Sequence, residues 1–382
     1  MTTLRTQDEK GLPNPTTEPN GIKILHVCET AKGGIATYLR IMHHATSNEF
    51  EHHVVLPEHH RKELQDLERT TTFLSETRSL IRLFKFLSAT WRASREQAPD
   101  IFFFHSSFAL AALACSRFRL KRQPMIYCPH GWAALQFPDH SLKRKTVSFV
   151  EYRLSKLADV VINISGHEQG FCRQRYPKVN AVLVENAVES REAMILSSPI
   201  QKLENHLNIL FVGRLDRQKG FDILLLAFKD ARNARPDLHL HVVGESVLAN
   251  PGSDGNTEET PGVTFYGWKS PTEVQSFIND SDIVVVPSRW EGFGLVVAEA
   301  YRSGTPVLVS DRCALPELVI PNRTGWVIPF DQRKWSESLA RLKKSELAEM
   351  QHCCTSLYET RFHSSRFGRE LDILFRQLLE RK

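Results

Sequence analysis

Short runs rich in β-branched and aromatic residues alternate with longer amphipathic stretches, and the alternation begins twice along the chain. The front half offers strands at "IKILHVC" (22–28), "HHVVLP" (52–57), "DIFFFHSS" (100–107), "PMIYCPH" (124–130), "DVVINIS" (159–165) and "AVLVENA" (181–187). The back half repeats the pattern at "NILFVGRL" (208–215), "LHLHVVGE" (238–245), "VTFYGW" (263–268), "DIVVVPS" (282–288) and "TPVLVSD" (305–311), with "WVIPF" (326–330) as one more. Strand followed by amphipathic helix is the signature of α/β units with parallel sheets, since each parallel crossover needs a return element. A chain of 382 residues is too long for one ordinary core, so the repeat predicts two Rossmann-like domains facing each other across a cleft.

The expected divisions are a disordered leader over 1–20, an N-terminal domain over 21–196 and a linker over 197–206. A second domain then spans 207–363, and a final helix over 364–382 has the option of crossing back to the first domain. The leader is polar and lacks an apolar core, and no apolar run approaches the ~20 residues that span a bilayer. The expected location is therefore cytoplasmic, or peripheral at the inner face of a membrane. Seven scattered cysteines without a C-x-x-C pair suggest neither a disulfide framework nor a zinc site. Charge is uneven. Residues 21–200 carry 24 Lys and Arg against 17 Asp and Glu, whereas 201–382 carry 23 against 24.

In doubly wound sheets, ligands bind beyond the carboxyl ends of the strands, so motifs at those ends carry the most information. "GRLDRQKGF" (213–221) directly follows a strand, with glycines that permit a tight exit and an early helix start. Arg214 and Lys219 can both face the crevice, as a pyrophosphate trap or as two surface cations beside a loop. In "SRWEGFGLVVAEA" (288–300), Glu291 sits in the strand-to-helix turn and Glu299 lies two helical turns later on roughly the same side. A capping role accounts for Glu291, but less well for Glu299, which is flanked by Ala298 and Ala300.

Taken together, "GRLDRQKG" followed by "SDIVVVPSRWEGFGLVVAEAYRSGTPVLVSD" resembles the retaining family-four glycosyltransferases of the GT-B fold. Their E-x7-E pair aligns with Glu291 and Glu299. Further matches are Gly33-Gly34-Ile35, "PHG" (129–131), "ENAVE" (185–189) and "NRTGWVIP" (322–329), so the resemblance covers about residues 21–335. It implies a nucleotide-diphosphate sugar as donor, with Arg214 and Lys219 on its pyrophosphate. Glu291 and the backbone of Phe293, Gly294 and Leu295 would contact donor sugar and phosphate, and Glu299 the ribose hydroxyls. Gly33 and Gly34 would approach the donor phosphates or the acceptor from the opposite domain, and His130 would sit near the sugar. Fixed cations can stabilise a departing diphosphate, so no metal or other cofactor is expected.

Two departures leave the base undefined. Asn186-Ala187-Val188-Glu189 replaces the family's usual Asn-Gly-Val-Asp. Gly244-Glu245-Ser246 and the polar loop 249–261 replace its Gly-x-Gly-Pro turn. The expected acceptor is a glycan or polyprenyl-linked oligosaccharide, in exopolysaccharide or surface polysaccharide synthesis. The alternatives are a nucleotide-sugar 2-epimerase of similar shape and a catalytically silent GT-B scaffold. A Rossmann oxidoreductase is disfavoured, because no G-x-G-x-x-G follows the first strand.

Asp280-Ser281-Asp282 matches a metal-chelating D-x-D but precedes its strand, at the wrong end for a ligand. The paired histidines 43–44, 52–53 and 59–60 read as solvated or at element ends. Basic stretches at 78–95, 117–123 and 143–145, two of them interleaved with large apolar side chains, suggest contact with anionic inner-leaflet lipid. No motif for nucleic acid appears.

Overall fold

A computed structural model describes residues 21–67, 69–74, 80–120, 122–190, 200, 206–245 and 260–381. The expected leader, most of the expected linker and most of the loop 249–261 lie outside the described residues, as do 78 and 79 at the start of the basic segment.

The first sheet contains β1 (Ile22–Cys28), β2 (Phe50–Pro57), β3 (Thr70–Phe73), β4 (Ile101–His105), β5 (Met125–Cys128), β6 (Val160–Asn163) and β7 (Ala181–Leu183). All pairs are parallel, in the order β3-β2-β1-β4-β5-β6-β7. Helices α1 (Gly34–Ala45), α2 (Leu80–Gln97), α3 (Ala109–Arg119), α4 (Leu142–Ser155) and α5 (Gly166–Arg175) make the crossovers. Helices cover both faces, so the central strands are apolar throughout rather than alternating; every residue of "IFFFH" in β4 is buried.

The second sheet has six strands: β8 (Leu207–Val212), β9 (Leu238–Val243), β10 (Val263–Phe265), β11 (Ile283–Val286), β12 (Val307–Ser310) and β13 (Gly325–Ile328). Their order is β10-β9-β8-β11-β12-β13, again all parallel. Around it lie α6 (Phe221–Ala234), α7 (Pro271–Asp280), α8 (Leu295–Arg302), α9 (Leu315–Leu318), α10 (Gln332–Arg341) and α11 (Lys344–Leu357). In each sheet the order reverses beside the first strand, between β1 and β4 and between β8 and β11. That reversal opens a crevice at the strand ends.

One continuous apolar cluster joins the two units, running from Ile24 and Phe103 to Val286 and Tyr301. The last helix, α12 (Ser364–Glu380), lies against α1 of the first unit. Gly368 makes this approach possible, because a Cβ there would lie 1.9 Å from the Ala45 carbonyl oxygen. The Asp372 carboxylate accepts from the Ser47 backbone N–H at 3.2 Å, and Val188 N donates to Phe362 O at 2.9 Å.

Three local expectations need correction. The edge strand β3, "TTTF", was not foreseen, because a threonine run has no apolar alternation; it forms by pairing with β2. The segments expected to extend to 107 and 187 as strands end at His105 and Leu183. His52 and His53 are buried inside β2 rather than solvated or at its end, because both faces of that strand are covered.

Candidate active site

The second unit contributes two strand-to-helix turns side by side. After β8 the chain turns at Gly213 (φ 151°), and the stem of Lys219 runs past this glycine where a side chain would otherwise stand. Asp216 Oδ1 accepts from the Lys219 backbone N–H at 3.0 Å, closing the turn. Gly220 then starts α6 in the left-handed conformation. Arg214 is half exposed and held loosely, donating to Gln218 Oε1 at 2.7 Å and pairing with Asp216 Oδ2 at 3.1 Å.

The neighbouring turn follows β11. The backbone N–H of Arg289 donates to Gln218 O at 2.8 Å, and the Gln218 amide donates to Trp290 O at 3.3 Å, so the two turns are stitched together. Lys219 Nζ donates to Glu291 Oε1 at 2.7 Å, and Ser288 Oγ donates to the same oxygen at 2.8 Å. The side chains are 23% and 10% exposed, so this pair lies largely out of solvent and is screened little by salt. Gly294 (φ 106°) caps α8, presenting the first N–H groups of that helix, Leu295 included, to the crevice. The Phe293 side chain turns away into the core against Phe362, which leaves only its backbone for a ligand.

Glu299 lies one face down α8. Burial raises its carboxyl above the usual range, while Arg302, Arg40 of the first unit and Lys219 pull it back. Lys219 therefore acts on both glutamates, a juxtaposition that spacing alone does not reveal.

The first unit supplies the opposite wall. Gly33 (φ 60°) caps α1, and open space surrounds the position of an added Cβ. Gly34 approaches Leu295 closely enough that a Cβ would lie 3.6 Å from its Cδ1. His130 (φ 52°) and Gly131 (φ 106°) form a strained tip after β5 that abuts the Glu291 turn. A Cβ on Gly292 would stand 3.3 Å from the Gly131 Cα and N and 3.2 Å from Glu168 Oε1. Burial lowers the His130 imidazole to about 3, so it is neutral, and Tyr38 packs edge-on at 4.6 Å between ring centroids. Of the candidate residues, Lys219 meets Glu291, Gly34 approaches Leu295, and the turn after His130 abuts the turn after Glu291, while Phe293 offers only its main chain.

Glu168 was missed. It is fully buried in the first turn of α5, and burial raises its carboxyl to about 8 against the N–H groups of Ile164 and Gly131. Its sequence signal, Ser165-x-x-Glu168, reads as an ordinary helix start, and Ser165 Oγ does accept from the Glu168 N–H at 3.2 Å. A neutral carboxyl beside Gly292 is a hydrogen-bond donor at the domain contact. Asp282 of the D-x-D lies at the far ends of the strands, where it accepts from Asn208 N at 2.7 Å and pairs with Lys344 at 3.5 Å.

Comparison with known proteins gives this crevice a context. A 41.2 kDa protein from the cps region of Klebsiella pneumoniae is 29% identical over 320 residues, covering 81% of this chain and 87% of that one. The lipopolysaccharide 1,2-N-acetylglucosaminetransferase of Salmonella typhimurium is 28% identical, over 52% of this chain and 49% of its own. The D-inositol 3-phosphate glycosyltransferase of Segniliparus rotundus is 34% identical over 35% of this chain and 31% of its own length. Among solved structures, the sucrose-phosphate synthase of Thermosynechococcus elongatus superposes with a TM-score of 0.79 at 20% identity, over 94% of this chain and 100% of that one. Anabaena HepE, in complex with UDP and glucose, gives 0.76 at 19%, over 93% and 100%. Residues 32–192 match the family described as Glycosyltransferase Family 4, and residues 196–356 match Glycosyl transferases group 1. Two parallel-sheet domains, one crevice and these two matches together make the chain a member of the family-four glycosyltransferases with the GT-B fold.

Proposed function

We propose that this glycosyltransferase moves a hexose-type sugar, with retention of configuration and without a metal, from a nucleotide-diphosphate sugar to a hydroxyl. The acceptor is a glycan or polyprenyl-linked oligosaccharide of exopolysaccharide or surface polysaccharide synthesis. The observation that carries the reading is the Lys219–Glu291 pair, held between two helix N-termini and facing the glycine loop and His130 of the other unit. The solved complex of HepE with UDP and glucose supports the donor class, and the cps-region and lipopolysaccharide relatives support the acceptor class.

On binding, the donor diphosphate replaces Glu291 as the counter-ion of Lys219, with Arg214 and the α8 N-terminus beside it. Glu291 is then free to accept a hydrogen bond from a sugar hydroxyl and to face the positive charge that develops at the anomeric carbon. The bond from that carbon to the diphosphate oxygen breaks, its electron pair leaving with the diphosphate. The acceptor hydroxyl attacks from the same face, and its proton passes to the departing oxygen. The cations supply the charge stabilisation that a metal gives elsewhere, and Asp282 is engaged at the opposite end of the strands.

A thermal-shift screen against UDP-, GDP-, ADP- and dTDP-sugars tests the donor, and NMR of the product anomer tests retention. One donor raises the melting temperature; silence from all four overturns the donor reading. Lys219→Ala is expected to weaken nucleoside diphosphate binding by about 10- to 100-fold, the worth of one charged hydrogen bond. An unaltered calorimetric affinity removes Lys219 from the phosphate site.

The first unit also has a face suited to an anionic inner-leaflet surface, consistent with a cytoplasmic, peripheral enzyme. Phe84, Phe118, Leu142 and Phe149 are exposed there, with Lys85, Arg92, Lys143 and Lys145 around them. Among the described residues, no helix is long and apolar enough to cross a membrane. The protein is expected to float with anionic liposomes and not with neutral ones; equal flotation with both would sink the docking surface.

A further inference from the structure

Four histidines from neighbouring parts of the first sheet form one continuous chain that ends at the crevice. The sheet register builds it. His52 on β2 lies two residues before Val54, the partner of His26 on β1. His26 lies two before Cys28, the partner of His105 on β4. His105 pairs with Cys128 on β5, and His130 lies two residues beyond that. Each step crosses one strand and advances two residues, so all four side chains fall on the same face along a diagonal toward the carboxyl ends.

The contacts are continuous. His130 Nε2 lies 2.9 Å from His105 Nδ1, His105 Nε2 3.1 Å from His26 Nδ1, and His26 Nε2 2.9 Å from His52 Nδ1. His52 Nε2 lies 2.8 Å from Thr46 Oγ1, and the Thr46 hydroxyl donates to the Met42 carbonyl at 2.8 Å.

A carbonyl only accepts, and this sets the direction of every other proton. The single Thr46 hydrogen goes to Met42, so His52 Nε2–H must donate to Thr46. His52 Nδ1 then accepts from His26 Nε2–H, His26 Nδ1 from His105 Nε2–H, and His105 Nδ1 from His130 Nε2–H. The reverse direction turns the Thr46 hydroxyl onto His52 and loses the bond to Met42, leaving one hydrogen bond fewer. Such a one-way chain of hydrogen bonds needs neutral rings. Burial, the largest cause in each case, holds His130 and His52 down at about 3 and lowers His26 and His105 well below the usual value. The surrounding groups fit this: Phe103 and Tyr38 pack on the rings, and His43 stands edge-on to His52.

We propose that Thr46, acting through His52, His26 and His105, holds His130 as its Nε2–H tautomer, so that Nδ1 of His130 is a bare acceptor for a substrate hydroxyl. Seven of the eight ring nitrogens are used within the chain, and Nδ1 of His130 is the eighth. Thr46, His52, His26 and His105 are positioning residues. An acceptor nitrogen selects a hydroxyl or N–H on the ligand and rejects an ether or carbonyl oxygen. The hydroxyl role of His130 rests on the transferase reading above, whereas the tautomer does not.

The test is long-range proton–nitrogen NMR on ¹⁵N-histidine-labelled protein without donor. In the wild type, His130 Nδ1 is expected to be unprotonated and Nε2 protonated. Thr46→Val is near in volume and is expected to drop the bare-Nδ1 form from about nine-tenths to about half, one neutral hydrogen bond being worth roughly a tenfold bias. Thr46→Ser restores the hydroxyl and is expected to restore the wild-type spectrum. A protonated His130 Nδ1 in the wild type, or a Thr46→Val spectrum identical to it, overturns the proposal. The wild-type measurement needs no variant to fold. Because no donor is present, a failed transfer assay leaves this result standing.

Discussion

Glu291→Ala is expected to lower glycosyl transfer by on the order of 100-fold or more, the usual cost of removing one preorganised group that meets developing charge. The donor is nevertheless expected to bind at least as tightly as to the wild type. Glu291 Oε1 accepts from Lys219 Nζ at 2.7 Å, so its removal frees that cation for the diphosphate. Loss of turnover without loss of affinity is the distinctive outcome. A purely structural Glu291 would instead weaken binding and stability together, because Ser288 and Lys219 would both lose their partner. Initial rates at saturating donor, read beside calorimetric titration of the nucleoside diphosphate, separate the cases. Turnover within a few-fold of wild type would take Glu291 out of the chemistry.

Gly220→Ala is expected to lower stability by about 2–5 kcal/mol. The left-handed backbone at φ 70° alone costs roughly 1–2 kcal/mol for a residue with a Cβ. That Cβ would also lie 1.9 Å from the Pro287 carbonyl oxygen, an overlap with main chain that no rotamer can relieve. Overpacking of this kind adds about 1–3 kcal/mol. Moving either partner has a second effect, since α6 begins directly after Lys219 and the chain beyond Pro287 carries Glu291. Nucleotide binding is therefore expected to fall with stability. Urea denaturation with a midpoint equal to wild type would show that the close approach of β11 and α6 is not required.

Much of the fold was legible because parallel strands covered on both faces need unbroken apolar runs, and twelve of those runs bounded by turn residues are hard to read otherwise. "WVIPF" was the softest of them and does form β13. The edge strand β3 was not legible, since three threonines followed by one phenylalanine have no pattern until β2 provides hydrogen-bond partners. The candidate site was legible as two separate turns. The glycines at 213, 220 and 294 and the charged residues between them mark the carboxyl ends of strands without any knowledge of the partner strand. The pairing of Lys219 with Glu291 was not, because it depends on β8 and β11 being neighbours in the sheet.

By itself, then, the order of residues determined the two parallel α/β units, the turns at the strand ends and the residue types placed there. These follow from local periodicity and backbone conformation, which act over a few residues. Only the tertiary structure decided that Glu168 is a buried neutral carboxyl, that Lys219 faces both glutamates and that four histidines line up toward His130. Burial and register depend on which strands and helices become neighbours, a property of the whole sheet that no stretch of sequence contains.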